Sequence, residues 1–192
     1  MDSAKFFKTA CVFEASLTFV AVLLGWIADI NPFAHLYYSE TAIAMGVLGT
    51  VPLFFLFLLL EYSPQKSLVD IKDLLLKTLA PSLHQRHWSD LLTLAAIAGI
   101  SEELLFRGVI QPWITASWGM TAGLWLSNII FGLLHAITPM YALLVTLVGV
   151  YLSLSMTIGD ENNLLIPIII HSLYDFLAFI ALMRLYRASL LP

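Results

Sequence analysis

Charge is what this chain has least of. Of its 192 residues only 11% are Asp, Glu, Lys or Arg, while 60% are hydrophobic. Ordinary soluble domains carry about 25% charged residues, so so sparse a charge excludes a conventional soluble surface and points to a membrane protein. The formal charge of −4 offers no basic face, which excludes a nucleic-acid partner. The single cysteine, Cys11, excludes an internal disulfide and a multi-cysteine metal centre. Period-2 alternation is also lacking from the long apolar runs, which argues against a membrane β-barrel. Internal repeats and low-complexity stretches are absent, and the length suits one domain spanning residues 1–192.

The mean hydropathy is +0.89. A spanning helix takes about 20 mostly apolar residues, and six segments qualify: roughly 10–30, 41–61, 90–111, 119–137, 140–158 and 164–183. Asn31-Pro32 and Ser63-Pro64 end the first two, and Pro112 is expected to terminate or kink the third. Lys5 and Lys8 precede the first run, which holds Glu14 and lacks a small-x-small cleavage site. It reads as a retained span rather than a removed leader.

Basic residues test this count. With the N-terminus inside, Lys5, Lys8, Lys66, Lys72, Lys77, Arg86, Arg184 and Arg187 fall on the cytoplasmic side, eight of nine. Glu40, Asp160 and Glu161 fall outside, as the positive-inside tendency requires. Both termini are therefore expected in the cytoplasm, and the compact size fits a bacterial plasma membrane. Leu68, Ile71, Leu75 and Leu79 recur at helical spacing among Asp70, Lys72, Asp73 and Lys77. They predict an amphipathic cytoplasmic helix, either on the lipid surface or packed as a linker. The fold class is thus all-α, a polytopic helical bundle of about six spans plus this helix. Trp88, Trp113 and Trp118 lie near span ends, as interfacial belts do.

The ninth base is Arg107, within Ser101-Glu102-Glu103-Leu104-Leu105-Phe106-Arg107-Gly108. Charges at a helix centre in a bilayer cost about 3 kcal/mol each, so they need partners. The other ionisable groups within spans are Glu14, His135, His171 and Asp175, with Asn128 adding weaker polarity. Glu14 falls near the cytoplasmic end of its span and reads as interfacial. Glu103 and Arg107 are four apart with the acid first, the favourable order for a helical ion pair. Glu102 is turned about 100° away, which leaves it free to face the bundle interior. Phe131 and His135 share one face of the fourth span, and His171 and Asp175 share one of the sixth.

Glu102-Glu103-x-x-x-Arg107, Phe131-x-x-x-His135 and His171-x-x-x-Asp175, in that order, resemble the three motifs of the CPBP (Abi) family. That family comprises CAAX prenyl endopeptidases and bacteriocin-processing or self-immunity proteins, and the resemblance covers roughly residues 90–180. It marks residues 90–183 as the motif-bearing core. One position departs: the prenyl proteases carry asparagine where this chain has Asp175, which weighs against farnesyl-protein processing more than against hydrolysis.

Amide hydrolysis needs an activated water, a stabilised oxyanion and a proton for the leaving amine. A desolvated carboxylate is a stronger base than one in water, and Glu102 is the candidate. His135 would hold or polarise the water, and His171 would donate to the oxyanion. The resemblance implies the same division of labour. Asp175, when ionised, would orient His171. Phe131, Asn128 and Tyr174 are read as supporting groups. A zinc ion held by Glu102, His135, His171 and Asp175 is the alternative, favoured by the metalloprotease name often given to such proteins. The His-Glu-x-x-His motif is missing, however, and the reading preferred here needs no cofactor.

The expected function is intramembrane endopeptidase, acting on a peptide or membrane-protein segment. A non-catalytic membrane scaffold or immunity protein of the same fold, and a proton- or ion-coupled transporter, are the alternatives. Oligomeric state is not legible. Depth is a difficulty. Straight helices with these ends put Glu102 about 18 Å, His135 about 6 Å and His171 about 20 Å from the cytoplasmic face. Span ends or tilts must therefore differ from the hydropathy count if the motifs are to meet.

Overall fold

The computed structural model of the chain describes residues 2–159 and 161–190; Asp160, assigned to the outer side above, lies outside them. Every regular element among the described residues is helical. Long apolar helices α1 (Ser3–Ala28) and α2 (Glu40–Glu61) are followed by the short α3 (Lys66–Thr78) and α4 (Ala80–Leu83). Then come α5 (Trp88–Leu105), a π-helical turn (Phe106–Ile110), α6 (Gln111–Trp118), α7 (Met120–Leu134), α8 (Pro139–Ser155) and α9 (Leu165–Ser189). Three of these, α1, α2 and α9, are long and apolar enough to cross a membrane, and α7 and α8 are shorter apolar helices. The protein is a membrane protein with α5 at its centre, packed between α1 and α9.

Proline does not end the third segment. Pro112 lacks the N–H that an α-helix would use at that point. The π turn just before it loosens the ladder, with the Gln111 N–H donating to the Phe106 carbonyl. The helix therefore runs on without a break from Trp88 to Trp118. Such turns recur at functional sites, and this one carries Arg107.

This run-on helix removes the depth conflict. The turn after α6 at Gly119, whose φ of 87° suits glycine, lies farther out than hydropathy suggests. Counted back from there, Glu102 sits about 24 Å along its helix, and His135 about 22 Å along α7. His171 is set by a second marker, the loop of residues 29–39. The Leu164 N–H donates to the His35 carbonyl at 2.8 Å, and a Cβ on Gly108 would lie 2.6 Å from the Pro32 carbonyl oxygen. From that loop Glu102 and His171 are each about 10 Å along their own helices. The helices have ragged outer ends, and a common membrane face was the wrong ruler.

At the opposite end the two chain ends come together. Ser3 Oγ donates to the Ser82 carbonyl (2.7 Å) and Arg187 to that of His84 (3.0 Å). Of the two readings of the amphipathic helix, packing wins. Ile71 of α3 is buried, and Leu68, Ile71 and Leu75 wall an internal cavity.

Candidate active site

Small residues let α5 and α9 approach closely. Ala95, Ala98 and Gly99 are buried on α5, and a Cβ added to Gly99 would lie 2.9 Å from the Ser172 backbone nitrogen. That crossing sets Glu102 and Glu103 against His171. Being successive helical residues, the two acids point in different directions, and each meets a different environment.

Glu103 faces a closed interior. It is 0% exposed and Arg107 is 1% exposed, so neither charge has water to solvate it. Arg107 Nη1 donates to Glu103 Oε1 (2.9 Å), Nη2 to Asn128 Oδ1 (2.9 Å) and the Gly149 carbonyl (2.8 Å), and Nε to Ser153 Oγ (3.3 Å). The guanidinium also lies 4.9 Å above the Phe131 ring. Asn128 Nδ2 donates to the Leu124 carbonyl and to Ser153 Oγ, and Ser153 donates to Gln111 Oε1 at 2.7 Å. Charge neutralisation and the use of four of the five guanidinium donors are what make such burial tolerable. Gly149, Ser153 and Gln111 escape a sequence reading. Their one signal is a small residue and a hydroxyl four apart on α8, which hydropathy cannot separate from packing.

Glu102 faces a cavity of about 630 Å³, lined also by Glu14, His135, Tyr141, His171, Tyr174 and Asp175. Its Oε1 is 3.6 Å from His135 Nε2 and its Oε2 is 3.7 Å from His171 Nε2. His135, which follows directly on α7, is thus within reach of one bridging water. Its Nδ1 is 2.8 Å from the Phe131 carbonyl, which can only accept, so Nδ1 carries the hydrogen. A neutral His135 ring then presents Nε2 as an acceptor. Two acceptors face each other, and a water seated beside the pair can donate to both.

His171 is fixed differently from the expectation. Its Nδ1 lies 2.8 Å from Glu103 Oε1, whereas Asp175 Oδ2 is 3.6 Å from Nε2. The orienting bond therefore comes from Glu103, which serves both Arg107 and His171. It is more than half of a structural ion pair. A ring protonated on both nitrogens would direct Nε2–H into the space between Glu102 and Asp175. Phe131 packs against Phe106, His135 and His171 at centroid distances of 4.8, 4.5 and 6.2 Å. Tyr174 lines the cavity edge-on to Phe57 at 6.2 Å.

Glu14 needs correction. It belongs to the cavity wall: α1 packs along α5, and Glu14 lines the same cavity as Glu102. A helical count from the N-terminus placed it near a membrane face because α1 begins at Ser3, seven residues before the hydropathy segment. Among the described residues no group of three His, Cys, Asp or Glu side chains is placed as a metal site, and no step below runs through a metal.

No curated protein and no solved structure matches the chain. Residues 84–177 match the family model described as type II CAAX prenyl endopeptidase Rce1-like, a stretch that takes in α5 to α8 and the His171–Asp175 turn of α9. The three motifs read from the sequence lie inside that stretch, over which the chain is similar to the Rce1-like type II CAAX prenyl endopeptidases.

Proposed function

We propose that this protein is an intramembrane endopeptidase that cleaves a peptide bond with a water activated by Glu102 and His135. The observation that carries the reading is the pair of facing acceptors, Glu102 Oε1 and His135 Nε2, 3.6 Å apart at the wall of a largely apolar cavity. Glu102 takes a proton from the water as its oxygen bonds to the carbonyl carbon. The carbonyl oxygen gains the negative charge and accepts from His171 Nε2–H. As the tetrahedral centre collapses the C–N bond breaks, and the proton on Glu102 passes to the leaving nitrogen.

The rest of the chain supports these roles. Glu103 holds His171 by Nδ1, and Arg107 holds Glu103. The apolar walls, with α3 across one end, suit a hydrophobic peptide or membrane-protein segment as substrate and keep bulk water from the reacting atoms. Asp175 stands where an asparagine would donate to the oxyanion, which makes a prenylated substrate the less favoured choice. The start of α1 and the end of α9 share one end of the bundle, and the distribution of basic residues supports placing that end in the cytoplasm.

The test is cleavage of candidate membrane peptides by the detergent-purified protein. Glu102→Ala is expected to abolish cleavage, and a chelator to leave it unchanged. Undiminished cleavage by Glu102→Ala would sink the mechanism, and chelator-sensitive cleavage restored by zinc would overturn its metal independence.

A further inference from the structure

Among the titratable groups lining the cavity, Glu14 is a carboxylate that the mechanism leaves unused. Glu14 reaches in from α1, and its Oε2 is fully buried without a hydrogen-bond partner. Glu102 Oε2 and Glu103 Oε2 have the same property; of these two acids only Glu102 lines the cavity with Glu14, and it acts on Glu14 as a charged, hydrogen-bonding neighbour. The other groups facing Glu14 are Cys11 on its own helix, His135 after α7 and Asp175 on α9. Among the described residues no lysine or arginine forms an ion pair with it. Arg107 is engaged on the far side of α5, and Lys72, the cation among the described cavity-lining residues, bonds the Glu61 carbonyl at 3.4 Å.

Two acceptor oxygens without a donor are a costly arrangement in a low-dielectric site. Two ionised carboxylates side by side are costlier still. One proton resolves both problems, because a carboxylic acid donates where a carboxylate can only accept. We propose that Glu14 is a positioning residue for Glu102: it holds a proton and donates it as a hydrogen bond to the Glu102 carboxylate. The bond fixes Oε2 of the base and leaves Oε1 directed at the water shared with His135. The negative charge of the pair is thereby limited to one, which keeps Glu102 able to receive the proton of water. This inference rests on the reading of Glu102 as the base.

The experiment has two arms, so that failure of that reading and failure of this one look different. The first is infrared spectroscopy of the detergent-purified protein, which follows the C=O stretch of protonated carboxyl groups without needing substrate. The wild type is expected to show a protonated-carboxyl band that is lost in Glu14→Gln and displaced in Glu102→Gln. The second arm is the pH profile of peptide cleavage. Glu14→Gln retains a permanent donor of the same shape. Its rate is expected to stay within about threefold of wild type, and to persist on the alkaline side where the wild type loses the Glu14 proton. Glu14→Leu has no donor, and kcat is expected to fall about tenfold or more with KM unchanged, the size of one hydrogen bond to a charged group. A band unaltered by Glu14→Gln overturns the proposal, and so does a wild-type pH profile in Glu14→Leu. Cleavage that survives Glu102→Ala while the band still responds would instead remove the base and leave the shared proton standing.

Discussion

Glu102 and Glu103 are neighbours in sequence and face opposite worlds. On the Glu103 side, Arg107, Asn128, Ser153 and Gln111 form a closed circuit in which the guanidinium spends its donors inside the protein. On the Glu102 side the nearest nitrogens stand off at 3.6 and 3.7 Å and a carboxyl oxygen has no donor at all. Glu103 also leaves one oxygen, Oε2, without a donor, but that side chain is sealed in the interior, whereas Glu102 lines the cavity and is available for chemistry. His171 joins the two halves, with Nδ1 on the closed side and Nε2 on the open one.

Removing the carboxylate on the open side tests that division most severely. Glu102→Gln keeps shape and burial but cannot take a proton. Cleavage is expected to fall about 10³-fold, roughly 4 kcal/mol on the barrier and within the range of general-base contributions. Thermal unfolding in detergent is expected to match wild type within about 1 kcal/mol. A loss of stability as large as the loss of rate would erase the distinction between the two sides.

The converse variant is Arg107→Met. It leaves Glu103 buried and unpaired and strips the donors from Asn128 and Gly149, so a destabilisation of about 3 kcal/mol is expected. Glu103→Gln combined with Arg107→Met removes both charges and should recover part of that loss in the same melting experiment. A double variant no more stable than Arg107→Met would mean that the circuit is held by its neutral hydrogen bonds and not by the ion pair.

How much of this could be read beforehand follows the same division. The all-helical class and the Glu103–Arg107 pair were legible because local composition and spacing carry them, whereas the grouping of Glu102, His135 and His171 followed from the resemblance of the three motifs to those of a known family. A four-residue interval fixes a shared helix face whatever the tertiary structure. The passage of the helix through Pro112 was not legible, because its cause is a backbone adjustment with no side-chain signature. The place of Glu14 was hidden too, since only the packing of α1 along α5 puts it beside Glu102. Asp175 had been given the task of orienting His171 because it shares a helix with that ring. The task falls to Glu103 on another helix, and spacing within one helix is blind to such a bond.

A smaller perturbation probes how tightly the closed side is built. Gly149 passes so near the circuit that an added Cβ would lie 2.5 Å from Asn128 Oδ1 and 3.1 Å from Arg107 Nη2. Gly149→Ala is therefore expected to destabilise by about 2 kcal/mol, in the range of overpacked sites. The gain in helix propensity, about 1 kcal/mol, is too small to offset it fully. Unfolding at or above the wild-type temperature would show that α8 can shift outward freely, and the circuit would then be a looser assembly than its short bonds suggest.

The mildest change belongs to the open side. Asp175 lies 3.6 Å from His171 Nε2 without holding the ring, since Glu103 does that through Nδ1. Asp175→Asn replaces an acceptor by a group that can also donate, directed at the position assigned to the oxyanion. It loses a negative charge that favours the doubly protonated His171 ring, and it gains a second oxyanion donor. The two effects oppose each other, so kcat is expected to change by less than about tenfold, roughly 1 kcal/mol. Comparing cleavage of prenylated and unprenylated peptides by this variant separates them. A gain confined to the prenylated peptide would tie residue 175 to substrate choice, whereas an equal change with both would place its action at the oxyanion. A fall of about 10³-fold with both peptides would mean that Asp175 is part of the reacting machinery, and that the division between a holding Glu103 and an open cavity face puts Asp175 on the wrong side.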